Sequence, residues 1–190
     1  DGAVAVNAGR ILDVGTTADM RARYQSEQVI DASGRVVCPG LVDCHTHAVY
    51  AGDRLDDFES RIQGKTYMEI LAAGGGIMST ARATRAATAD ELYALAAHRL
   101  DIMLQNGTTT AEIKTGYGLD IPTERKMFDV IARLDREHAL TIRPTFLGAH
   151  AVPPEFTSAN AYADHVLHEM MPTIFAAHAE SHFAAQGVPL

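Results

Sequence analysis

Past Pro39-Gly40 the sequence keeps repeating one arrangement, a short apolar or β-branched run followed by a longer segment with helical periodicity. Leu41-Val42-Asp43-Cys44-His45-Thr46-His47 begins as a continuous apolar run, the pattern of a strand buried on both faces of a parallel sheet. Thr66 and Glu69 are spaced as a capping box for a helix over about 66 to 73. Thr88 and Glu91 repeat the device for a helix over about 88 to 106. In that second helix Leu92, Leu95, Ala96, Leu100, Met103 and Leu104 share one face, and Asn106-Gly107 closes it. A β-branched strand over Thr108 to Lys114 follows, then a Gly116-Tyr117-Gly118 loop, then a helix opened by Asp120 and Pro122 that reaches about Ala139. Leu140 to Leu147 reads as the next strand, Pro153-Pro154 as a break, and about Ala159 to Met171 as another helix. Successive strand-plus-helix units restrict the fold to an α/β barrel or an open doubly wound sheet. The phosphate-binding glycine fingerprint of the doubly wound sheet is missing. Gly74-Gly75-Gly76 follows a helix rather than a strand and reads as a hinge or loop.

Residues 1–40 have a different texture. Val4-Ala5-Val6, Arg10 to Val14, Gln28 to Asp31 and Arg35 to Val37 read as short strands, separated by the turn sequences Asn7-Ala8-Gly9 and Ala32-Ser33-Gly34. The expected organisation is a small β-rich module at 1–40 and an α/β unit at 41–190. The sequence opens on Asp1 inside an alternating apolar pattern, and a complete (β/α)₈ barrel takes about 250 residues. The 190 residues are therefore expected to be part of a longer protein, holding only the first strands of a barrel.

A formal net charge of −8 with no clustered basic face argues against nucleic acid or an anionic membrane surface as a partner. No run approaches the roughly 18 apolar residues of a membrane span. A cytoplasmic location is expected, with Cys38 and Cys44 as reduced, buried residues.

Chemistry concentrates at His45 and His47. A strand turns residues i and i+2 to the same side, so the two imidazoles point together at a carboxyl end, where α/β barrels keep their active sites. Imidazole serves both zinc and iron, and two histidines supply half of a four-ligand site. Lys114 is expected to pair with Glu112 or a neighbour. His178 and His182, four apart, read as the solvated face of an ordinary helix, and His98, His138, His165 and His168 receive the same reading.

The wider motif Pro39-Gly40-Leu41-Val42-Asp43-Cys44-His45-Thr46-His47 resembles the first barrel strand of the amidohydrolase superfamily, in which a small β module also precedes the barrel. Four further motifs in order narrow the resemblance to the imidazolonepropionase family. They are Ala51 to Arg54, Ala73 to Ile77, Glu112 to Leu119 and Thr145 to Glu155. The resemblance implies a (β/α)₈ TIM-like barrel with a small N-terminal β-sandwich-like module. It implies metal-dependent hydrolysis of 4-imidazolone-5-propanoate to N-formimidoyl-L-glutamate in histidine degradation, by a homodimer carrying one divalent metal ion, zinc or iron. By the same resemblance His45 and His47 are metal ligands, Arg54, Tyr117 and His150 contact the substrate, and His150 is catalytic. A guanidinium suits the substrate's propionate, and a histidine closing a strand can stabilise an oxyanion. Two alternatives stay open: another deaminase or cyclic amidase of the superfamily, and an incomplete half-barrel without catalysis.

Overall fold

A computed structural model describes all of residues 1–190 and divides them into two compact units, Asp1–Pro39 and Gly40–Leu190.

In the first unit, β1 (Gly2–Asn7) pairs antiparallel with β2 (Arg10–Thr16) across a turn in which Ala8 and Gly9 both have positive φ. Such a turn carries the right-handed twist of the strands it joins. Thr16 then caps α1 (Thr17–Arg23) by accepting a hydrogen bond from the Asp19 N–H. This helix lays Met20 over the hairpin, where the missing Cβ of Gly15 leaves room for the methionine tip. The short strands expected at 28–31 and 35–37 do not form. Their residues join no sheet, and Ile30 is 91% exposed and Val36 88% exposed. Apolar alternation gives a segment the ability to join a sheet, but without a partner strand its backbone stays in water.

The second unit opens with β3 (Leu41–Thr46), followed by α2 (Leu55–Ile62), α3 (Tyr67–Ala72) and α4 (Ile77–Ala86). Next come α5 (Ala89–Gln105), β4 (Thr108–Lys114), α6 (Ile121–Glu137) and β5 (Thr141–Thr145). Both capping boxes read from the sequence are formed, at Thr66 with Glu69 and at Thr88 with Glu91. Asp120 caps α6 by accepting from the Thr123 N–H, with Pro122 in the first turn. The three strands make one parallel sheet in the order β3-β4-β5. The fold class is mixed α/β with a parallel sheet, as the alternation indicated.

The central strand β4 buries Ala111 and Ile113 against Leu92, Ala96 and Leu100 of α5 and against Met127, Phe128, Ile131 and Leu134 of α6. Leu95 and Leu104, assigned to the buried face of α5, lie at its margin and are partly exposed. β3 is not buried on both faces as expected. It is an edge strand whose extensive contacts are with β4 alone, and Leu41 is 57% and Val42 67% exposed because no helix packs extensively over its faces. Cys44 shares that edge, and both it and Cys38 are exposed free thiols rather than core residues.

β5 ends at Thr145, short of the strand expected to run to Leu147, and a short 3₁₀ turn, Gly148–His150, follows. The final helical stretch runs on past Met171: α7 (Ala159–His165), a π-helical turn (Val166–Met170), α8 (Met171–Ala179) and α9 (His182–Ala185). Pro172 does not end it, since it falls in the first turn after the widened π segment, where a missing N–H costs little. His178 and His182 lie on separate helices and neither is simply solvated. The His178 Nε2 lies 2.8 Å from the Val188 carbonyl, and the His182 Nε2 lies 2.9 Å from an Asp135 carboxylate oxygen. His138 is also held, between Asp101 and the Leu140 N–H, with its side chain 9% exposed. Tertiary packing recruited these rings, which helical periodicity within one segment could not show.

Candidate active site at the carboxyl ends of the parallel strands

Parallel pairing places the carboxyl ends of β3, β4 and β5 side by side, and each strand end delivers aromatic rings there, β3 two of them. His47 follows β3, Tyr117 follows β4, and His150 closes the turn after β5. The His47 ring lies 4.6 Å from Tyr117 and 4.9 Å from His150, centroid to centroid, and Tyr117 lies 5.6 Å from His150. His45 stands 6.2 Å from His47, edge to face. A cleft of about 440 Å³ adjoins the rings, lined by His47, Tyr50, Asp53, Arg54, Thr80 and Tyr117. Four of the five residues expected to act together therefore gather as rings, and the fifth, Arg54, lines the same cleft.

Burial favours the neutral form of the His47 and His150 imidazoles. Burial lowers the His47 pKa to about 4, helped by the neighbouring His150, His45 and Lys114. Burial also lowers that of His150, with Arg54 and His45 adding to the effect. His47 Nδ1 is buried without a hydrogen-bond partner, and so is one carboxylate oxygen of Glu112. The other Glu112 oxygen pairs with Lys114, the partner expected for that lysine. Thr46 ties β3 to β4 here by donating its hydroxyl to the Glu112 carbonyl at 2.7 Å.

Arg54 sits at the start of α2, exposed, and donates its Nε to the Thr80 hydroxyl at 3.0 Å. That bond turns the remaining, terminal edge of the guanidinium into the available donor face. Further along the same segment, Arg99 of α5 donates to the Ala48 and Tyr50 carbonyls at 2.8 Å each and stacks 3.7 Å from the Tyr50 ring centroid. The Ala51 N–H donates to the Thr84 hydroxyl of α4 at 3.1 Å. Side chains from α4 and α5 thus shape the chain from His47 to Arg54.

The Tyr117 loop is shaped differently. Gly116 has φ of +104°, and a Cβ there would meet the Leu147 carbonyl at 2.7 Å and the His150 Cβ at 3.0 Å. Only glycine allows both the turn and the approach. At Gly118 a Cβ would meet the backbone and carboxylate of Glu124. Arg85 closes the far side, donating to the Gly118 carbonyl at 2.7 Å and pairing with Asp120 at 2.9 Å and Glu155 at 2.6 Å.

Glu124, Arg85, Arg99, Tyr50 and Thr80 were not read from the sequence. Glu124 did carry a signal, since it shares the i, i+3, i+4, i+7 face of Met127, Phe128 and Ile131 in α6. A carboxylate on a core face needs donors. The others join through the folded contacts of α4 and α5 and leave no local pattern.

Residues 2–24 match the family described as "Imidazolonepropionase-like composite domain, bacteria". Over its whole length the chain is 54% identical to an imidazolonepropionase of Chloroflexus aggregans, covering 45% of that protein. It is 53% identical to an imidazolonepropionase of Halobacterium salinarum over 90% of this chain and 42% of the relative. A third, from Pseudomonas putida, is 49% identical over 92% of this chain and 43% of the relative. The chain spans somewhat under half the length of the curated relatives it matches. Its strand-end cluster thus lies in a chain that is similar, at identities near 50% along most of its residues, to imidazolonepropionases.

Proposed function

We propose that the intact protein carrying these residues hydrolyses the ring amide of 4-imidazolone-5-propanoate to N-formimidoyl-L-glutamate. The observation that carries the reading is the convergence of His47, Tyr117 and His150 from the ends of three parallel strands beside Arg54. On this reading β3, β4 and β5 are the first strands of a (β/α)₈ TIM-like barrel, and residues 1–40 belong to a small β-sandwich-like module ahead of it. The resemblance further implies a cytoplasmic homodimer.

One divalent metal ion, zinc or iron, fits the pair His45 and His47. A ligating histidine must be neutral and offer a free ring nitrogen. His47 meets both conditions, with its pKa lowered to about 4 and its buried Nδ1 unpartnered. No group of three or more histidines, cysteines or carboxylates is arranged around them. The pair therefore supplies part of a ligand set. When bound, such an ion supplies Lewis acidity, which polarises a carbonyl and acidifies water.

The chain's own residues do the rest. Arg54 holds the propionate, its Nε anchored on Thr80 and its terminal N–H groups matching the two carboxylate oxygens. Tyr117 donates its hydroxyl to the same substrate from the adjoining wall, so the ring amide is fixed against the histidine cluster. His150, held neutral beside Arg54, donates an N–H to the ring carbonyl oxygen and strengthens that bond as negative charge develops there. The packed rings of His47, Tyr117 and His150 exclude bulk water from one side of the reacting amide.

Replacing His45 or His47 with alanine in the intact protein is expected to remove both the bound metal and the hydrolysis of 4-imidazolone-5-propanoate. Full activity of either variant in metal-free buffer would contradict the scheme.

A further inference from the structure

One fully buried carboxylate near the cleft is given no task by the proposed chemistry. Glu124 of α6 has no exposed surface, and its carboxylate faces backbone rather than a cation. It accepts from the Gly116 N–H at 3.1 and 3.0 Å, from the Gly118 N–H at 2.8 Å and from the Leu119 N–H at 2.9 Å. These donors flank Tyr117 on both sides. The Thr115 side chain also faces the carboxylate, while the Thr115 hydroxyl accepts from the Leu147 N–H at 3.0 Å, one residue before the turn that carries His150. The loop is under strain as well: Leu119 is a buried leucine with φ of +60°, a region that costs a non-glycine residue about 1 kcal/mol or more. Strain of this kind persists only where the surroundings over-determine the backbone. Here the Glu124 carboxylate does so.

We infer that Glu124 is a positioning residue that sets the Tyr117 ring against His47 and His150 by gathering the backbone N–H groups of residues 116 to 119. The inference rests on the proposed role of Tyr117 as a substrate contact. A burial role alone would be met by any well-packed apolar residue of similar size. A loop-setting role requires acceptors on both sides of Tyr117, because several donors converge on two oxygens. Glutamine keeps the shape but turns an N–H₂ toward backbone N–H groups, so one arm of the loop loses its anchor. Tyr117 then loses its registry with the cleft while the packing of α6 is largely kept.

The test is a cycle of Glu124→Gln, Tyr117→Phe and the double variant in the intact protein, read as KM and kcat for 4-imidazolone-5-propanoate. Tyr117→Phe and Glu124→Gln are each expected to raise KM by roughly tenfold with a smaller change in kcat, the pattern of lost substrate positioning. In the double variant the second substitution adds little, because Glu124 acts through Tyr117. Thr115→Val, which removes one polar group beside the carboxylate without changing volume, reproduces a weaker version of the same shift. It also serves if Glu124→Gln does not fold. Multiplicative effects of Glu124→Gln and Tyr117→Phe would overturn the inference. So would wild-type KM in a folded Glu124→Gln variant, or, if that variant does not fold, wild-type KM in Thr115→Val. If Tyr117→Phe itself leaves KM unchanged, the proposed substrate role of Tyr117 fails instead.

Discussion

The turns after β3 and β4 present neighbouring rings to one cleft, yet they are held in opposite ways. After β4, a carboxylate from below gathers N–H groups, and the turn is nearly all buried backbone around two glycines and a strained leucine. After β3, a guanidinium from α5 gathers carbonyls, and the turn lies at the sheet edge with Arg54 in solvent. A buried acceptor facing several donors is costly to remove, because each N–H left unsatisfied costs about 1 to 3 kcal/mol. A partly exposed cation facing carbonyls is replaceable in part by water. Both turns carry buried residues, Ala48, Val49 and Ala51 after β3 and Gly116, Gly118 and Leu119 after β4, but the β4 turn is pinned by a fully buried carboxylate and the β3 turn by a partly exposed guanidinium.

The largest effect that can break this contrast comes from Glu124→Ala. It strands the N–H groups of residues 116, 118 and 119 and is expected to lower unfolding stability by about 3 kcal/mol or more in urea titration. A loss below about 1 kcal/mol would mean that water replaces the carboxylate and that the turn is not pinned. Arg99→Ala in the other turn should cost about 2 kcal/mol, from two charge-assisted hydrogen bonds and the stacking on Tyr50. A loss equal to that of Glu124→Ala would erase the distinction.

Acid separates the turns further. His47 has its pKa lowered to about 4 in the folded chain and takes up a proton near 6.5 when unfolded. Its contribution to stability is therefore complete above about 6.5 and falls away as pH drops toward about 4. Because the ring is only half buried, the loss is on the order of 1 kcal/mol after solvent screening. Stability measured at pH 7 and pH 5 in wild type and His47→Gln should show a smaller drop in the variant. The smallest effect belongs to surface pairs outside both turns. Asp129→Ala removes the exposed Arg125–Asp129 pair and should change stability by less than about 0.5 kcal/mol.

How much of this was legible in the sequence follows from where each signal resides. Capping boxes at Thr66 and Thr88, the Asp120 cap and the β-branched run at Thr108 to Lys114 are local, so they located α3, α5, α6 and β4 closely. The cluster of His47, Tyr117 and His150 was legible because strand ends in a parallel sheet bring such residues together, and the motifs around them resembled one family. The short runs at 28–31 and 35–37 failed because a strand is defined by its partner. β3 read as fully buried because an apolar run states capacity for burial, not what covers it. Glu124 was overlooked although its position on the apolar face of α6 was visible, because its significance depends on the N–H groups of a loop that folds over it.

Turnover by the intact protein is the most direct test of the central claim. Given 4-imidazolone-5-propanoate, guanine, cytosine and a hydantoin separately, it should hydrolyse the first to N-formimidoyl-L-glutamate, and Arg54→Ala should lose that reaction mainly through a raised KM. Turnover of guanine, cytosine or the hydantoin in preference to 4-imidazolone-5-propanoate, or an unchanged KM in Arg54→Ala, would contradict the account.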